Sequence, residues 1–347
     1  MSRVDTEPLA ASSAARPRRL PRIDRRFLPV LGASVVLVLM LLIGQLRYST
    51  PHRGFISLRL LSNLVADNSY LLVLTVGMTF VILTGGIDLS VGAVVALVGL
   101  VIAVLLTAGV PLPVVLLIAL LVGAVCGTLI GIMVHYFDVQ PFIASLAVMF
   151  LARGLCNIIS VQSLSITDPG FGRLASWGIK LGTGSDVFRI NASLIIAVIV
   201  IVAGFLILHY TRVGRTVYAL GSGDDGLAAG LMGLPVGFTR VGVYVLSGVC
   251  AGIAGIMFAL YTKSGFNLTG IGMELDAIAP VAIGGTLLIG GSGFVLGSVV
   301  GVFVYGLLQV IIAREGLDSW WTKVLIGVFL LIFVLLQRVV SARRSKG

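Results

Sequence analysis

Apolar residues occur along the chain in runs of helical length, and polar residues are largely confined to the ends and to short segments between the runs. A transmembrane helix needs about 20 mostly apolar residues to cross a hydrocarbon layer about 30 Å thick. The pattern predicts an all-α polytopic membrane protein with about ten transmembrane segments, some of them broken or half helices, in two weakly repeated halves. The runs lie at 29–46, 69–84, 91–107, 110–134, 141–160, 191–210, 241–263, 275–289, 294–313 and 321–336.

The stretch from Asp67 to Gly99 contains two of these runs and the polar break that separates them. The run from Ser69 to Thr84 has sixteen residues, and at about 1.5 Å per residue such a helix is too short to cross the membrane alone. Gly85 and Gly86 then interrupt the apolar sequence. We expect a broken helix whose break is buried in protein or lines a watery cavity, because lipid offers backbone groups no hydrogen bonds.

Asp88 follows this glycine pair and is the only carboxylate between Asp67 and Asp138. An ionisable group within apolar sequence indicates a functional site by default. The alternative interpretation is that Asp88 or Ser90 caps the helix that follows by accepting hydrogen bonds from its free amides. The two roles are compatible, and the sequence leaves both open.

A second region, from Glu274 to Ala313, repeats this construction. Its short apolar run contains Pro280 and is closed by Gly290 and Gly291, which we superpose on Gly85 and Gly86. Corresponding glycine-interrupted segments in two halves of a membrane protein point to a substrate path. The residues predicted to line it are Thr84, Gly85, Gly86, Asp88, Ser90, Glu274, Asp276, Gly284, Gly285, Gly290 and Gly291.

Three segments outside the two breaks carry further predictions. Leucines and polar residues lie on opposite faces of Phe55–Val65, which predicts a short helix in the membrane interface. Arg153 lies inside an apolar run, so its side chain either extends to the nearer interface or pairs with a buried partner. Residues 161–190 form the longest loop, which is polar and rich in glycine.

The composition excludes a soluble globular domain, since 58% of the 347 residues are hydrophobic, 11% are charged and the mean hydropathy is +1.12. The net charge of +10 does not indicate nucleic-acid binding, because the basic residues gather at the chain ends and in short loops. We expect a disordered basic cytoplasmic tail at 1–26, one transmembrane domain at 27–340 and a basic cytoplasmic tail at 341–347. This orientation places fourteen of the 24 lysines and arginines in the cytoplasm and the 161–190 loop outside.

Residues that could carry catalysis or bind a metal are scattered. Cys126, Cys156 and Cys250 lie in apolar runs without metal-ligand spacing, and the histidines lie at segment ends. The GSGDDG sequence within Thr211–Arg240 lacks the Lys-Ser/Thr pair of a phosphate loop. We therefore expect no catalytic site, no metal and no cofactor.

Four motifs give the chain a family resemblance: GMTFVILTGGIDLSVG from Gly77, TRVGRTVYALG from Thr211, LAAGLMGL from Leu227 and ELDAIAPVAIGGTLLIGGSG from Glu274. They resemble the membrane subunits of ribose-type ATP-binding cassette sugar importers over nearly the whole chain. Together with IGGTLLIGG, the sequence LDSWWTK from Leu317 is most similar to one permease subunit of the galactofuranose importer.

The resemblance implies a permease of a bacterial inner membrane that binds no ATP itself. Its expected partners are a cytoplasmic ATP-binding subunit, an extracytoplasmic sugar-binding protein and a second permease subunit in a homodimer or heterodimer. The 211–240 loop is predicted to dock the ATPase, since it is compact and amphiphilic, and Gly223-Asp224-Asp225 departs there from the family's usual Gly-Asn. The predicted coupling residues are Arg212, Arg215, Gly221, Asp224, Asp225, Ala228, Ala229 and Gly233.

The residues alone leave a second transporter class to consider. In an ion-coupled secondary sugar transporter, Asp88, with Arg153 or Glu274, would couple the substrate to protons or sodium. Carriers of that class usually bury several ionisable groups. An intramembrane enzyme lacks support, because the sequence shows no Ser-His or paired-acid arrangement within its apolar runs.

Overall fold

A computed structural model describes residues 28–49, 54–183, 186–223, 227–318 and 320–344. The predicted tail at 1–26 and the coupling residues Asp224 and Asp225 lie outside the described residues.

The fold is mainly helical, and each of the predicted apolar runs overlaps one helix. Within the described residues, seven helices are long and apolar enough to cross a membrane, which confirms the prediction of a polytopic helical protein. The elements are α1 (Leu28–Tyr48), α2 (Leu58–Leu83), α3 (Val91–Thr107), α4 (Leu112–Tyr136), α5 (Pro141–Ile159), β1 (Leu164–Ser165), α6 (Pro169–Ser176), β2 (Gly178–Thr183), β3 (Asp186–Asn191), α7 (Ala192–Tyr210), α8 (Arg212–Leu220), α9 (Leu227–Leu231), α10 (Val236–Thr262), β4 (Ser264–Gly265), α11 (Met273–Ile283), α12 (Val295–Arg314) and α13 (Trp320–Arg344).

Helix α2 corrects two predictions. It is one continuous helix of 26 residues, about 39 Å long, so the separate interfacial helix at Phe55–Val65 and the short half helix ending at Thr84 are both wrong. The polar residues at its centre do not end the helix because they bond to its own carbonyls. Asn68 Nδ2 donates to the Leu64 oxygen at 2.9 Å, and Ser69 Oγ donates to the Ala66 oxygen at 3.0 Å.

Helix α10 lies at the centre of the fold and packs against α2, α3 and α4. Its contact with α4 is made of glycines, and a Cβ at Gly248 would overlap the carbonyl oxygen of Gly123. A Cβ at Gly127 would overlap the Tyr244 oxygen in the same way. The two backbones therefore meet directly, which is the close packing that small residues permit between membrane helices.

One end of the molecule, here called the hairpin side, carries the antiparallel β2–β3 hairpin. The 161–190 segment is thus not an irregular loop, since it also contains α6 and strand β1, which pairs with β4. The hairpin is attached to α2, where the Arg59 backbone N–H donates to Asp186 Oδ1 at 2.8 Å. The opposite end, here called the α8 side, carries α8 and α9.

An ion pair on the hairpin side joins α1 to the end of α12. Arg47 Nε donates to Glu315 Oε1 at 2.6 Å, and the Tyr48 hydroxyl donates to the same carboxylate. These hydrogen bonds, from Arg47 first and Tyr48 second, lower the pKa of the Glu315 carboxyl to about 2. The carboxylate therefore stays ionised throughout the physiological pH range.

Helix α13 continues past the predicted last span at 321–336 and ends at Arg344. The basic segment predicted as a tail at 341–347 therefore begins as helix. Residues 345–347 lie outside the described residues.

The α4–α10 contact predicts a strong position dependence for glycine substitutions within α10. Gly248→Val places a side chain against the α4 backbone, and we expect a loss of about 1–3 kcal/mol in stability. Gly242→Val is the matched control, because a Cβ at Gly242 meets no atom within 4 Å. The measurement is the thermal midpoint of each detergent-solubilised variant, and equal midpoints for the two variants would contradict direct backbone packing.

Candidate functional site

The first break begins where α2 ends at Leu83. Gly85 has a φ of +81°, and its N–H donates to the Ile82 oxygen at 2.9 Å while the Gly86 N–H donates to the Val81 oxygen at 3.1 Å. This pair of bonds is a Schellman motif, which requires the left-handed conformation that glycine adopts without strain. The predicted break at Gly85 and Gly86 is confirmed, but only Gly86 of the pair is buried, whereas Gly85 is exposed.

Asp88 is fully buried within this break. Its Oδ1 accepts hydrogen bonds from the Ser90 N–H at 2.9 Å and the Ser90 hydroxyl at 2.7 Å, and its Oδ2 accepts one from the Ser247 hydroxyl of α10 at 2.7 Å. Ser90 is the N-cap of α3 but makes no capping bond with its side chain. Asp88 therefore satisfies a free amide before α3 and ties the break to the middle of α10. That it also faces a substrate path stays a prediction.

The second break has the same helix end as the first. Helix α11 ends at Ile283, and Gly285, with a φ of +91°, donates to the Ala282 oxygen at 3.0 Å. The next N–H, of Thr286, donates to the Val281 oxygen at 3.2 Å. Gly285 is thus the structural equivalent of Gly85, and the superposition of Gly290 and Gly291 on Gly85 and Gly86 is wrong.

Gly290 and Gly291 instead join the two breaks. The Gly291 N–H donates to the Leu83 oxygen at the end of α2, at 2.9 Å, and a Cβ at Gly290 would lie 2.8 Å from the Gly85 nitrogen. Gly221, which follows α8, packs into the same place, because a Cβ there would overlap both the Leu83 oxygen and the Gly291 nitrogen. The structure therefore brings predicted path residues and a predicted coupling residue into backbone contact.

Thr84 and Gly284 belong to these helix ends. The Thr84 hydroxyl donates to the Val81 oxygen at 2.8 Å. A Cβ at Gly284 would overlap the oxygen of Gly297 in α12. The Thr84 hydroxyl and the Gly284 backbone thus both contact carbonyl oxygens at these helix ends.

The beginnings of α3 and α11 meet at the buried Gly92, where a Cβ would overlap the Gly270 oxygen and lie 2.7 Å from Oε2 of the half-buried Glu274. Helix N-termini carry partial positive charge, and Glu274 and Asp276 lie in the first turn of α11. Asp276 does not join the Asp88 cluster; it interacts with Tyr305 and Lys323. The predicted path residues therefore form three groups, at Asp88, at the joined breaks and at the start of α11.

Arg153 pairs with a buried partner, so the alternative in which it extends to the interface is wrong. Its Nη1 donates to the carbonyl oxygens of Asn267 at 2.8 Å and Thr269 at 2.6 Å. Asn267 is itself held by Asn157, since its Nδ2 donates to Asn157 Oδ1 at 2.6 Å. Arg153 thus fixes the irregular segment that leads into α11.

Helix α8 is amphipathic and is attached to the second break. Arg212 and Arg215 are exposed, whereas Val217 is buried. The Tyr218 hydroxyl donates to the Gly293 oxygen at 2.7 Å. The sequence analysis did not predict this hydrogen bond or the one from Ser247 to Asp88. Nothing in the sequence distinguishes Tyr218 from the other tyrosines, or Ser247 from the other small polar residues.

The short helix α9 follows and presents apolar side chains to solvent. Ala229 is buried, but Leu231 is 83% exposed and Met232 is 69% exposed. Gly233, with a φ of +73°, turns the chain toward α10. The side chain of Ala228 lies outside the described residues.

Comparison with known proteins gives the chain a family context. The family model described as branched-chain amino acid transport system / permease component matches residues 60–335. The chain is 43% identical over 335 residues to the fructose import permease protein FruG of Bifidobacterium longum (strain NCC 2705). The aligned region covers 96% of this chain and 97% of that protein. No solved structure matches the chain significantly.

Two relatives from Escherichia coli (strain K12) are similar over most of their length. The inner membrane ABC transporter permease protein YjfF is 42% identical over 316 residues, covering 90% of this chain and 93% of the relative. The ribose import permease protein RbsC is 36% identical over 295 residues, covering 83% of this chain and 88% of the relative.

The bonds of Asp88 predict different outcomes for two substitutions. Asp88→Leu leaves the Ser90 amide and the Ser247 hydroxyl without their acceptor, and each unsatisfied buried group costs about 1–3 kcal/mol. Asp88→Asn keeps one acceptor oxygen and an amide that the Ser247 hydroxyl can accept from, so we expect a much smaller loss. Thermal unfolding of the purified variants measures the difference, with the exposed Asp318→Leu as the control. Equal losses for Leu and Asn would contradict the bracing role.

Proposed function

Because the chain belongs to the family of branched-chain amino acid transport system permease components, we propose that it is the permease subunit of an ATP-binding cassette importer that carries a monosaccharide across the cytoplasmic membrane. The observation that carries this proposal is the match over nearly the full length to the fructose and ribose import permeases. The two glycine-capped breaks inside the fold are the construction expected of a substrate path. Galactofuranose, suggested by the LDSWWTK sequence, is the narrower proposal.

The ion-coupled alternative has no support among the relatives, of which FruG and RbsC are import permeases and YjfF is an ABC transporter permease. The Asp88 carboxylate accepts three hydrogen bonds from Ser90 and Ser247, and these bonds brace the first break against α10.

The cytoplasmic ATP-binding subunit is proposed to dock on the α8 side and to hydrolyse ATP for a permease that is not itself an enzyme. Leu231 and Met232 form an exposed apolar pair at the end of α9, and α9 contacts α8, which carries the exposed Arg212 and Arg215. Exposed apolar residues with a charged rim are typical of a protein-binding surface.

The sugar-binding protein is proposed to dock on the hairpin side. Ile179 and Leu181 of β2 are 53% and 50% exposed, and the neighbouring Trp177 is 48% exposed. This assignment makes the hairpin side external and both termini cytoplasmic, in agreement with the distribution of lysine and arginine.

A second permease subunit, identical or different, completes the proposed complex. The apolar faces of α4 and α7 remain uncovered in the single chain, with Leu117 57% and Ile199 60% exposed. Lipid covers such faces as readily as a partner does, so these faces do not decide between a homodimer and a heterodimer.

The function is tested by uptake into proteoliposomes that contain the complete complex, with fructose, ribose and galactofuranose as probes. We expect accumulation that needs ATP and the ATP-binding subunit and that persists when an ionophore collapses the ion gradients. The Asp88→Asn variant should retain uptake, because its cap and part of its hydrogen bonding remain. Uptake that the chain performs alone and that stops with the ionophore would overturn the proposal.

Docking of the ATP-binding subunit is tested with the double substitution Leu231→Asp and Met232→Asp. Placing two charges where the apolar pair meets its partner should abolish co-purification of the ATP-binding subunit, while the permease remains in the membrane. The double substitution Ile179→Asp and Leu181→Asp, on the hairpin side, is the matched control and should leave co-purification unchanged. Retained association of the α9 variant would remove α9 from the interface.

A further inference from the structure

A cleft of about 410 Å³, lined by both polar and apolar side chains, lies between α11, α12 and the start of α13. Its size falls in the range of about 300–1,000 Å³ that is usual for small-ligand sites. Its wall combines a carboxylate, a phenol, a primary amide, an indole and an ammonium group. They belong to Asp276, Tyr305, Gln309, Trp320 and Lys323.

The cleft has a buried floor and an exposed rim. Tyr305 is only 6% exposed, and Asp276 is half-buried in the first turn of α11. Trp320 and Leu317, at 70% and 46% exposure, form the rim beside the end of α12. The cleft therefore opens on the hairpin side and narrows toward the place where α11 begins beside Gly92.

The polar groups of the cleft are arranged around one another. The carboxyl of Asp276 interacts with the hydroxyl of Tyr305 and lies in the electrostatic field of Lys323. Lys323 Nζ lies 5.1 Å from the centroid of the Trp320 ring, within the range of a cation–π interaction. A ligand thus meets side chains that are already oriented, which lowers the entropy lost on binding.

This combination of groups favours a neutral polyhydroxylated ring over an ion. Asp276 and Lys323 have opposite charges, so the two side chains together carry no net charge. Carboxylate oxygens accept hydrogen bonds from hydroxyls, the ammonium donates them, and the amide of Gln309 does both. The indole of Trp320 offers an apolar face beside them. A monosaccharide presents the matching surface of hydroxyl edges and C–H faces.

Two other features of the described chain fit a sugar less well. A larger cavity, of about 520 Å³, is lined chiefly by apolar side chains such as Leu41, Leu61 and Phe303. Asp88 is fully buried, and its carboxylate is engaged with Ser90 and Ser247.

We propose that the cleft between α11, α12 and α13 is a monosaccharide-binding site on the hairpin side of the permease. Asp276, Gln309 and Lys323 bind hydroxyl groups, Trp320 covers an apolar face of the ring, and Tyr305 positions the Asp276 carboxylate. The proposal rests on the proposed function, and it assigns the imported monosaccharide an entry site on the permease.

Site-specific thiol labelling tests occupancy of the cleft. The native cysteines Cys126, Cys156 and Cys250 are buried, so a membrane-impermeant maleimide should label a cysteine introduced at the rim. Leu317→Cys lies in the cleft wall, whereas Asp318→Cys is exposed next to it and outside the cleft. Both variants are used in the complete complex, with the sugar that the wild-type complex takes up.

We expect the sugar to slow labelling of Leu317→Cys by the factor 1 + [sugar]/Kd, about elevenfold at ten times Kd. Labelling of Asp318→Cys should not change. A labelling rate of Leu317→Cys that is independent of sugar, in a complex that transports it, overturns the cleft proposal and leaves the proposed function intact. A complex that takes up no monosaccharide overturns both.

Substrate specificity provides a second readout that a merely structural role would not change. Asp276→Asn removes a charge-assisted hydrogen bond, which should raise the half-saturating sugar concentration about tenfold or more. It should also shrink the discrimination against the deoxy sugar that lacks the bonded hydroxyl. Asp318→Asn is the matched control. If Asp276→Asn and Gln309→Leu both keep the wild-type half-saturation and sugar preference, the cleft is not the binding site.

Discussion

The need to satisfy backbone hydrogen bonds within an apolar protein determines how this fold is assembled. Helices α2 and α11 each end at a segment whose backbone N–H and C=O groups have no partner within a helix, and lipid cannot satisfy such groups. Each helix end is closed by the same Schellman pair, at Gly85 and at Gly285. The segments then use each other, since the Gly291 N–H donates to the Leu83 oxygen. The two breaks therefore form one structural unit.

Helix α10 supports this unit through small residues. Ser247 donates to Asp88, and Gly248 one position later lets α4 approach backbone to backbone. A larger residue at either position would separate α10 from the break or from α4. The high glycine content of the chain thus reflects close contacts between helices as well as turns, which is a way to gain packing where apolar burial gives no advantage over lipid.

The sequence was sufficient to predict the helices and the first break, because long apolar runs and a glycine pair are local signals. It failed for α2, where Asn68 and Ser69 look like a boundary but bond back to their own helix. The sequence also did not predict contacts between segments that lie far apart along the chain. Examples are the packing of Gly221 against Leu83 and the assembly of Asp276, Gln309 and Lys323 from three helices into one cleft. No spacing in the sequence encodes such contacts.

The three groups of predicted path residues are attached to different helices. This difference determines how a movement of one helix would reach each group during transport. The first break is tied to the centre of the fold through Asp88 and Ser247. The second break is tied to α8, through the Tyr218 hydroxyl at Gly293 and through Gly221 against Gly291. It also continues directly from α11, whose other end reaches the cleft at Asp276. Under the proposed function, a displacement of α8 by the ATP-binding subunit acts on both breaks where Gly221 packs against Leu83 and Gly291, while Asp88 stays tied to α10 through Ser247. Helix α11, with only 11 residues, then links that displacement to the cleft.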